Sequence, residues 1–221
     1  MMSSTERVER KQRVREPRQR GRWESLTDWA RARAGFILVP IARAMGRLGV
    51  HPNTVTILGL LLQAGVGILF GLGYTAVGGW LLLIVAPVDA LDGAVARVVG
   101  KQSSFGAFLD STLDRLADAG LILGLTAYYL GQDASTEVVL LLISLVAVMM
   151  VSYTRARAES LGFPCKVGLL TRMERILLIG GMLAIGLPTV MMWALAVLSV
   201  FTAAQRILHV YVVSRQQEQD S

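Results

Sequence analysis

Cysteine is almost missing from this chain: Cys165 stands alone among 221 residues, so no intramolecular disulfide can form. It falls in an expected cytoplasmic loop, where a thiol has no need to pair, and we expect it to be inert. Histidine is nearly as scarce. His51 and His209 lie far apart with no partner carboxylate beside them, which removes the usual case for an imidazole base or metal ligand and leaves both as structural residues. Nowhere do polar and apolar residues alternate with the period of two that a strand requires, so the expected fold is an all-helical bundle. There is no phosphate loop of the P-loop or dinucleotide type, no internal repeat and no second domain. Residues 1–21 lack the apolar core of a signal peptide.

What the chain does have is apolar surface. With 53% hydrophobic residues and a mean hydropathy of +0.53, it reads as a polytopic integral membrane protein. Apolar runs predict six transmembrane helices, near residues 54–72, 76–98, 105–130, 137–160, 172–187 and 189–213. Basic residues are absent from three of the intervening turns, Gly73 to Thr75, Gly131 to Glu137 and Leu187 to Thr189, whereas 12 of the 22 Lys and Arg precede Val50. This asymmetry places both termini on the cytoplasmic side of the cell membrane and demands an even number of spans. The transmembrane domain is expected over 51–214, followed by a cytoplasmic tail at 215–221.

Residues 1–21, rich in Arg, Glu and Gln, read as a disordered basic arm that sets topology. Over 22–50, apolar residues recur at Leu26, Ala30, Ala34, Ile37, Ile41, Met45 and Leu48 between Arg31, Arg33, Arg43 and Arg47. This pattern predicts an amphipathic helix lying in the membrane interface, kinked at Pro40 and anchored by Trp23 and Trp29.

Within the apolar runs, acidic charge is concentrated in one place. From Asp89 to Asp114 the chain reads DALDGAVARVVGKQSSFGAFLDSTLD. Ionisable groups at membrane depth are costly and mark function by default. Asp89 and Asp92 are three apart, Asp110 and Asp114 four apart, so each pair shares one face of its own helix, and two such helices packed together would converge four carboxylates. An oxygen-only cluster suits a hard cation such as magnesium, manganese or calcium. Arg97 follows Asp92 by only about 7.5 Å of helix, so the cluster lies in the cytoplasmic half of the bilayer. A soluble nucleotide can reach it there while a lipid tail stays in the hydrocarbon.

Written out, the motif is D-x2-D-G-x2-A-R-x8-G-x3-D-x3-D, from Asp89 through Asp92, Gly93, Ala96, Arg97, Gly106 and Asp110 to Asp114. It resembles the signature of the CDP-alcohol phosphotransferases, integral membrane enzymes that move a phosphatidyl-type group from a CDP-linked lipid to an alcohol. Such transfer needs charge neutralised on two phosphates, an aligned hydroxyl and a base for its proton. Asp89, Asp92 and Asp110 are then expected to hold one or two divalent cations, Mg2+ or Mn2+. Asp114 has a double reading as a further ligand and, by the resemblance, as the general base. Gly93, Ala96 and Gly106 leave room for a cytidine or phosphate against the backbone, and Arg97 offers a permanently charged fork to the donor. Ser103 and the stretch Asn53, Thr54, Val55 and Thr56 match positions where relatives approach the CDP group.

A second group of residues is basic: Arg155 and Arg157 in VSYTRARAE, Arg172 and Arg175 in RMER, and Arg206. The positive-inside rule alone accounts for loop arginines such as Arg157 and Arg172. Arg206, several residues inside an apolar span, calls for a buried anion, and phosphate is its natural partner. The segments SYTRARAE, ERIL and QRILHV resemble the phosphatidylinositol phosphate and archaetidylinositol phosphate synthases. That resemblance implies a pocket of Arg155, Arg157, Arg175 and Arg206 for the phosphate of inositol phosphate, CDP-diacylglycerol as donor, a membrane-lipid setting, and a homodimer of six-span subunits. No nucleic-acid partner is expected. Glycerol 3-phosphate is the alternative acceptor. A cation transporter is the competing class, but its path would distribute polar groups through both leaflets, and spans one, five and six offer almost none toward the outer side.

Overall fold

The computed structural model describes residues 40–219 apart from 42, 46, 48 and 100–102, and within 88–99 it describes side chains only for Leu91 and Val95. The expected arm at 1–21 and most of the interfacial helix over 22–50 lie outside the described residues. Six helices follow in order: α1 (Pro52–Gly71), α2 (Thr75–Val99), α3 (Ser104–Leu130), α4 (Ser135–Ser160), α5 (Arg172–Ala184) and α6 (Pro188–Gln219). No strand occurs among the described residues.

Local chemistry sets the helix starts. Pro52 opens α1, where its fixed φ and missing N–H cost nothing, and His51 caps it by accepting from the Asn53 N–H at 3.3 Å. Ser103 caps α3, its Oγ accepting from the Gly106 N–H at 2.9 Å. His209 lies 3.1 Å from the Pro164 carbonyl and ties α6 to the loop over 161–171. Both histidines thus have structural contacts.

The expected last two spans need adjustment. α5 is 13 residues long and stops at Ala184, just before Gly186 at φ +75° and Pro188. α6 runs on through Gln219, so residues 215–219 of the expected tail are helical. Gln, Glu and Arg are good helix formers, and the Arg215 guanidinium lies 5.5 Å from the Tyr211 ring one turn back.

By length and apolarity alone, α1, α4 and α6 can each cross a membrane, while the apolar part of α2 is the shorter stretch Thr75–Pro87. Large apolar side chains such as Leu61, Ile68, Trp80, Ile84 and Phe201 face outward, as lipid contact requires. The interior is filled by Val66, Phe70, Leu121, Leu125, Leu141, Val148, Leu183 and Met191 among others.

Among the described residues, α1 is the main neighbour of both acidic helices, while α3 also meets α4, α2 meets α5, and α6 meets α4 and α5. Glycine explains the preference. A Cβ on Gly67 of α1 would sit 2.7 Å from the Gly120 carbonyl oxygen of α3, and one on Gly124 would collide with the Gly67 carbonyl. The two backbones touch, which gives close packing in lipid, where no hydrophobic force draws helices together.

Candidate active site

α3 carries a longer acidic series than the motif suggested. Asp110, Asp114 and Asp118 recur every four residues and share one face. Asp110 and Asp114 are half-buried, and Asp118 is only 5% exposed. A carboxylate so deep needs a cation. Asp118 Oδ2 lies 2.5 Å from Arg175 Nη2, and its Oδ1 lies 3.6 Å from Arg172 Nε. Arg172 Nη1 in turn lies 3.0 Å from Asp114 Oδ1. Two arginines at the start of α5 are thereby pinned to the acidic face of α3.

These groups line a cavity of about 170 Å³ with Arg115, Val151, Ser152, Arg155, Thr171 and Arg206. Four helices supply its five guanidiniums: Arg115 from α3, Arg155 from α4, Arg172 and Arg175 from α5, and Arg206 from α6. Arg206 is buried. Its Nε donates to the Val167 carbonyl at 2.9 Å and its Nη1 to the Val151 carbonyl, so it braces the loop before α5 against α4. Gly168 makes this possible: at φ +140°, a Cβ there would press on Arg206 Nη2 at 3.0 Å. The Leu170 N–H donates to Thr202 Oγ1 at 3.1 Å and fixes the same loop to α6. Arg175 Nη1 donates to the Leu170 carbonyl at 3.4 Å. Arg155 forms an exposed pair with Glu159 at 2.9 Å. Arg157 is exposed and does not line the cavity.

Sequence reasoning missed Asp118 and set Arg172 aside as a loop cation. Both left a signal: Asp118 continues the spacing of four, and Arg172 stands three before Arg175, on the same helix face.

Of the residues assigned to the nucleotide, Asn53 to Thr56, Ser103 and Gly106 lie at the starts of α1 and α3. A Cβ on Gly106 would meet Ser103 Oγ at 3.1 Å and Asn53 Oδ1 at 3.3 Å, so these three converge. Thr56 Oγ1 donates back to the Pro52 carbonyl at 3.3 Å, Thr54 is exposed, and Val55 is buried against Val95. Asp89, Asp92, Gly93, Ala96 and Arg97 belong to the last turns of α2, and their side chains lie outside the described residues.

Among the described residues no three possible ligands converge, and Asp89 and Asp92 stand outside that set. Asp110 and Asp114 supply the other two, one turn apart on α3. Carboxylate oxygens only, with no sulfur or imidazole, form a donor set that fits a hard divalent cation.

Residues 49–205 match the family model described as CDP-alcohol phosphatidyltransferase. The chain is 36% identical over 200 residues to the phosphatidylinositol phosphate synthase of Streptomyces avermitilis, covering 84% of this chain and 82% of that one. It is 39% identical over 194 residues to the archaetidylinositol phosphate synthase of Methanothermobacter thermautotrophicus, covering 85% and 95%. The crystal structure of Mycobacterium tuberculosis phosphatidylinositol phosphate synthase with CDP-DAG bound superposes with a TM-score of 0.74 at 34% identity, covering 79% of this chain and 94% of that one. The structure of that protein in complex with manganese and citrate gives the same score and identity, covering 79% and 88%. A family model spanning most of the sequence, whole-length relatives well above 30% identity and a shared helical fold leave one conclusion: the chain belongs to the CDP-alcohol phosphatidyltransferase family.

Proposed function

We propose that the protein transfers the phosphatidyl group of CDP-diacylglycerol to a hydroxyl of inositol phosphate, releasing CMP and forming phosphatidylinositol phosphate. One observation carries this reading: a single cavity joins Asp114, the last carboxylate of the acidic motif, to five arginines. Five guanidiniums against two carboxylates leave surplus positive charge, which suits an acceptor that bears a phosphate dianion. Asp114 takes the proton of the attacking hydroxyl. Asn53, Ser103 and Gly106 flank the nucleotide, where the absence of a Cβ at Gly106 keeps space beside two polar side chains. Thr54, Thr56, Gly93, Ala96 and Arg97 complete the donor site by resemblance to the family, while Val55 holds α1 in the core. Asp89, Asp92, Asp110 and Asp114 would hold magnesium or manganese, which would supply charge neutralisation on the donor phosphates.

All six helices cross the cytoplasmic membrane in this reading, with both termini and the cavity on the cytoplasmic side. Support comes from the turns at 73–75, 131–137 and 187–189, which hold no Lys or Arg, and from the basic residues at the other end of the bundle. At 25 and 27 residues, α2 and α3 are long enough despite their carboxylates. Assembly as a homodimer follows from the family resemblance.

The test is a panel of acceptors given to purified protein with CDP-diacylglycerol and magnesium, read as CMP release and lipid product. Inositol phosphate should support turnover and free inositol should not, because an acceptor lacking phosphate leaves desolvated guanidiniums unmatched. Efficient use of free inositol would refute the phosphate cavity. Preference for glycerol 3-phosphate would keep the cavity and overturn inositol.

A further inference from the structure

We propose that Thr202 is a positioning residue for the acceptor: from α6 it seats Leu170, and Leu170 completes a clamp that holds Arg175 in the cavity. The inference rests on the reading above, in which the arginines of that cavity receive a phosphorylated acceptor.

Thr202 is buried and lies outside the cavity lining. Its hydroxyl has a preset direction. Oγ1 donates back to the Leu198 carbonyl at 2.7 Å, so its one proton is used within α6 and a lone pair is left to accept. The Leu170 N–H donates to it at 3.1 Å. Arg206 stands four residues further on, on the same face of α6, and its Nε donates to the Val167 carbonyl at 2.9 Å. Gly168 fits between the two because it has no Cβ, which would come within 3.1 Å of Thr202 Cγ2 and 3.0 Å of Arg206 Nη2. Residues 167, 168 and 170 are thus seated on one face of α6.

That seat reaches Arg175 because Leu170 immediately precedes Thr171, the N-cap of α5. Arg175 is 3% exposed, and its two terminal nitrogens are held from different elements. Nη2 meets Asp118 of α3 at 2.5 Å, and Nη1 donates to the Leu170 carbonyl at 3.4 Å. The short ionic contact fixes where the guanidinium lies. A planar fork gripped at one nitrogen still swings, so the second contact sets its plane. The plane matters, because a phosphate takes two parallel N–H bonds from a guanidinium only when the fork faces it. The Leu170 contact is the longer and weaker of the two, so it depends on where the carbonyl is placed. Thr202 supplies that placement. Removing its oxygen leaves the buried Leu170 N–H without a partner, and the loop must shift to find one.

The experiment compares Thr202→Val with Thr202→Ser in the full-length protein, following CMP release with magnesium while inositol phosphate and CDP-diacylglycerol are varied in turn. Thr202→Val should raise the Michaelis constant for the acceptor about fivefold or more, the effect of one lost hydrogen bond, and leave kcat and the donor constant within about twofold. Thr202→Ser keeps the hydroxyl and should match the wild type. Thr202→Ala removes the same oxygen without a branched side chain and takes over where Thr202→Val folds poorly. In an Arg175→Lys background, whose single ammonium cannot span both partners, Thr202→Val should raise the acceptor constant no further, since changes within one chain of contacts do not add. An unchanged acceptor constant in Thr202→Val or Thr202→Ala overturns the proposal. So does a rise shared equally with the donor, an equal rise in Thr202→Ser, or full additivity with Arg175→Lys. If the wild type still requires a phosphorylated acceptor in any of these cases, the proposed function stands without the clamp. If the wild type transfers equally to free inositol, the proposed function itself fails.

Discussion

The two halves of α3 use opposite chemistry for one purpose. The first half carries Asp110, Asp114 and Asp118 on one face, with Asp114 and Asp118 pinned to Arg172 and Arg175 of α5. The second carries Gly120 and Gly124, where the helix lies backbone to backbone on Gly67 of α1. Charge needs an exact partner at a few ångströms, but long side chains find one by bending. Glycine gives no partner and tolerates none. The glycine half therefore sets where α3 lies, and the acidic half makes use of that placement. A fault in the first should act on turnover and ion pairing, a fault in the second on the stability of the bundle.

The largest effect should follow Asp114→Asn, which removes the proposed base with little change in volume. Turnover should fall 10²–10⁴-fold, about 3–5 kcal/mol of barrier, while CDP-diacylglycerol binding, followed by titration, persists. Turnover within about tenfold of wild type would remove Asp114 from the role of base. Next comes Asp118→Asn. It leaves Arg175 buried without its carboxylate, a loss of about 3–5 kcal/mol in stability, visible as a lowered melting temperature in detergent. Asp118 lies in the acidic half yet should behave as a stability residue, so an unchanged melting temperature would redraw the boundary between the halves. The smallest effect separates two glycines one turn apart. Gly124→Ala drives a methyl group into the Gly67 carbonyl and should cost about 1–3 kcal/mol. Gly120→Ala places its methyl where nothing lies within 4 Å and should be neutral. Equal melting temperatures for the two variants would mean that the crossing does not fix α3.

The helices were legible in the sequence because lipid imposes a simple rule: backbone polar groups must be satisfied within the segment, so apolar runs near twenty residues become helices. The acidic motif was legible because its spacing matches a helical turn, and family likeness gave it a chemistry. Three further points were beyond the sequence. Asp118 repeats the spacing of four but sits outside the motif, and only the 2.5 Å approach of Arg175 distinguishes it from a stray charge. Arg157 and Arg172 looked alike as loop cations, yet one is exposed and outside the cavity lining and the other lines it. The two acidic helices share a motif, and among the described residues α1 is the main neighbour of each.

What the sequence determined by itself, then, was the set of local properties: the helical segments, their apolar faces and the carboxylates at one end. These follow from hydropathy and periodicity, each confined to a few neighbouring residues. The tertiary structure decided which cations meet which carboxylates. That choice turns on approaches of a few ångströms between residues as far apart as Asp114 and Arg172, set by glycine contacts at the α1–α3 crossing and by Gly168 against Arg206, and no local pattern encodes distances of that kind.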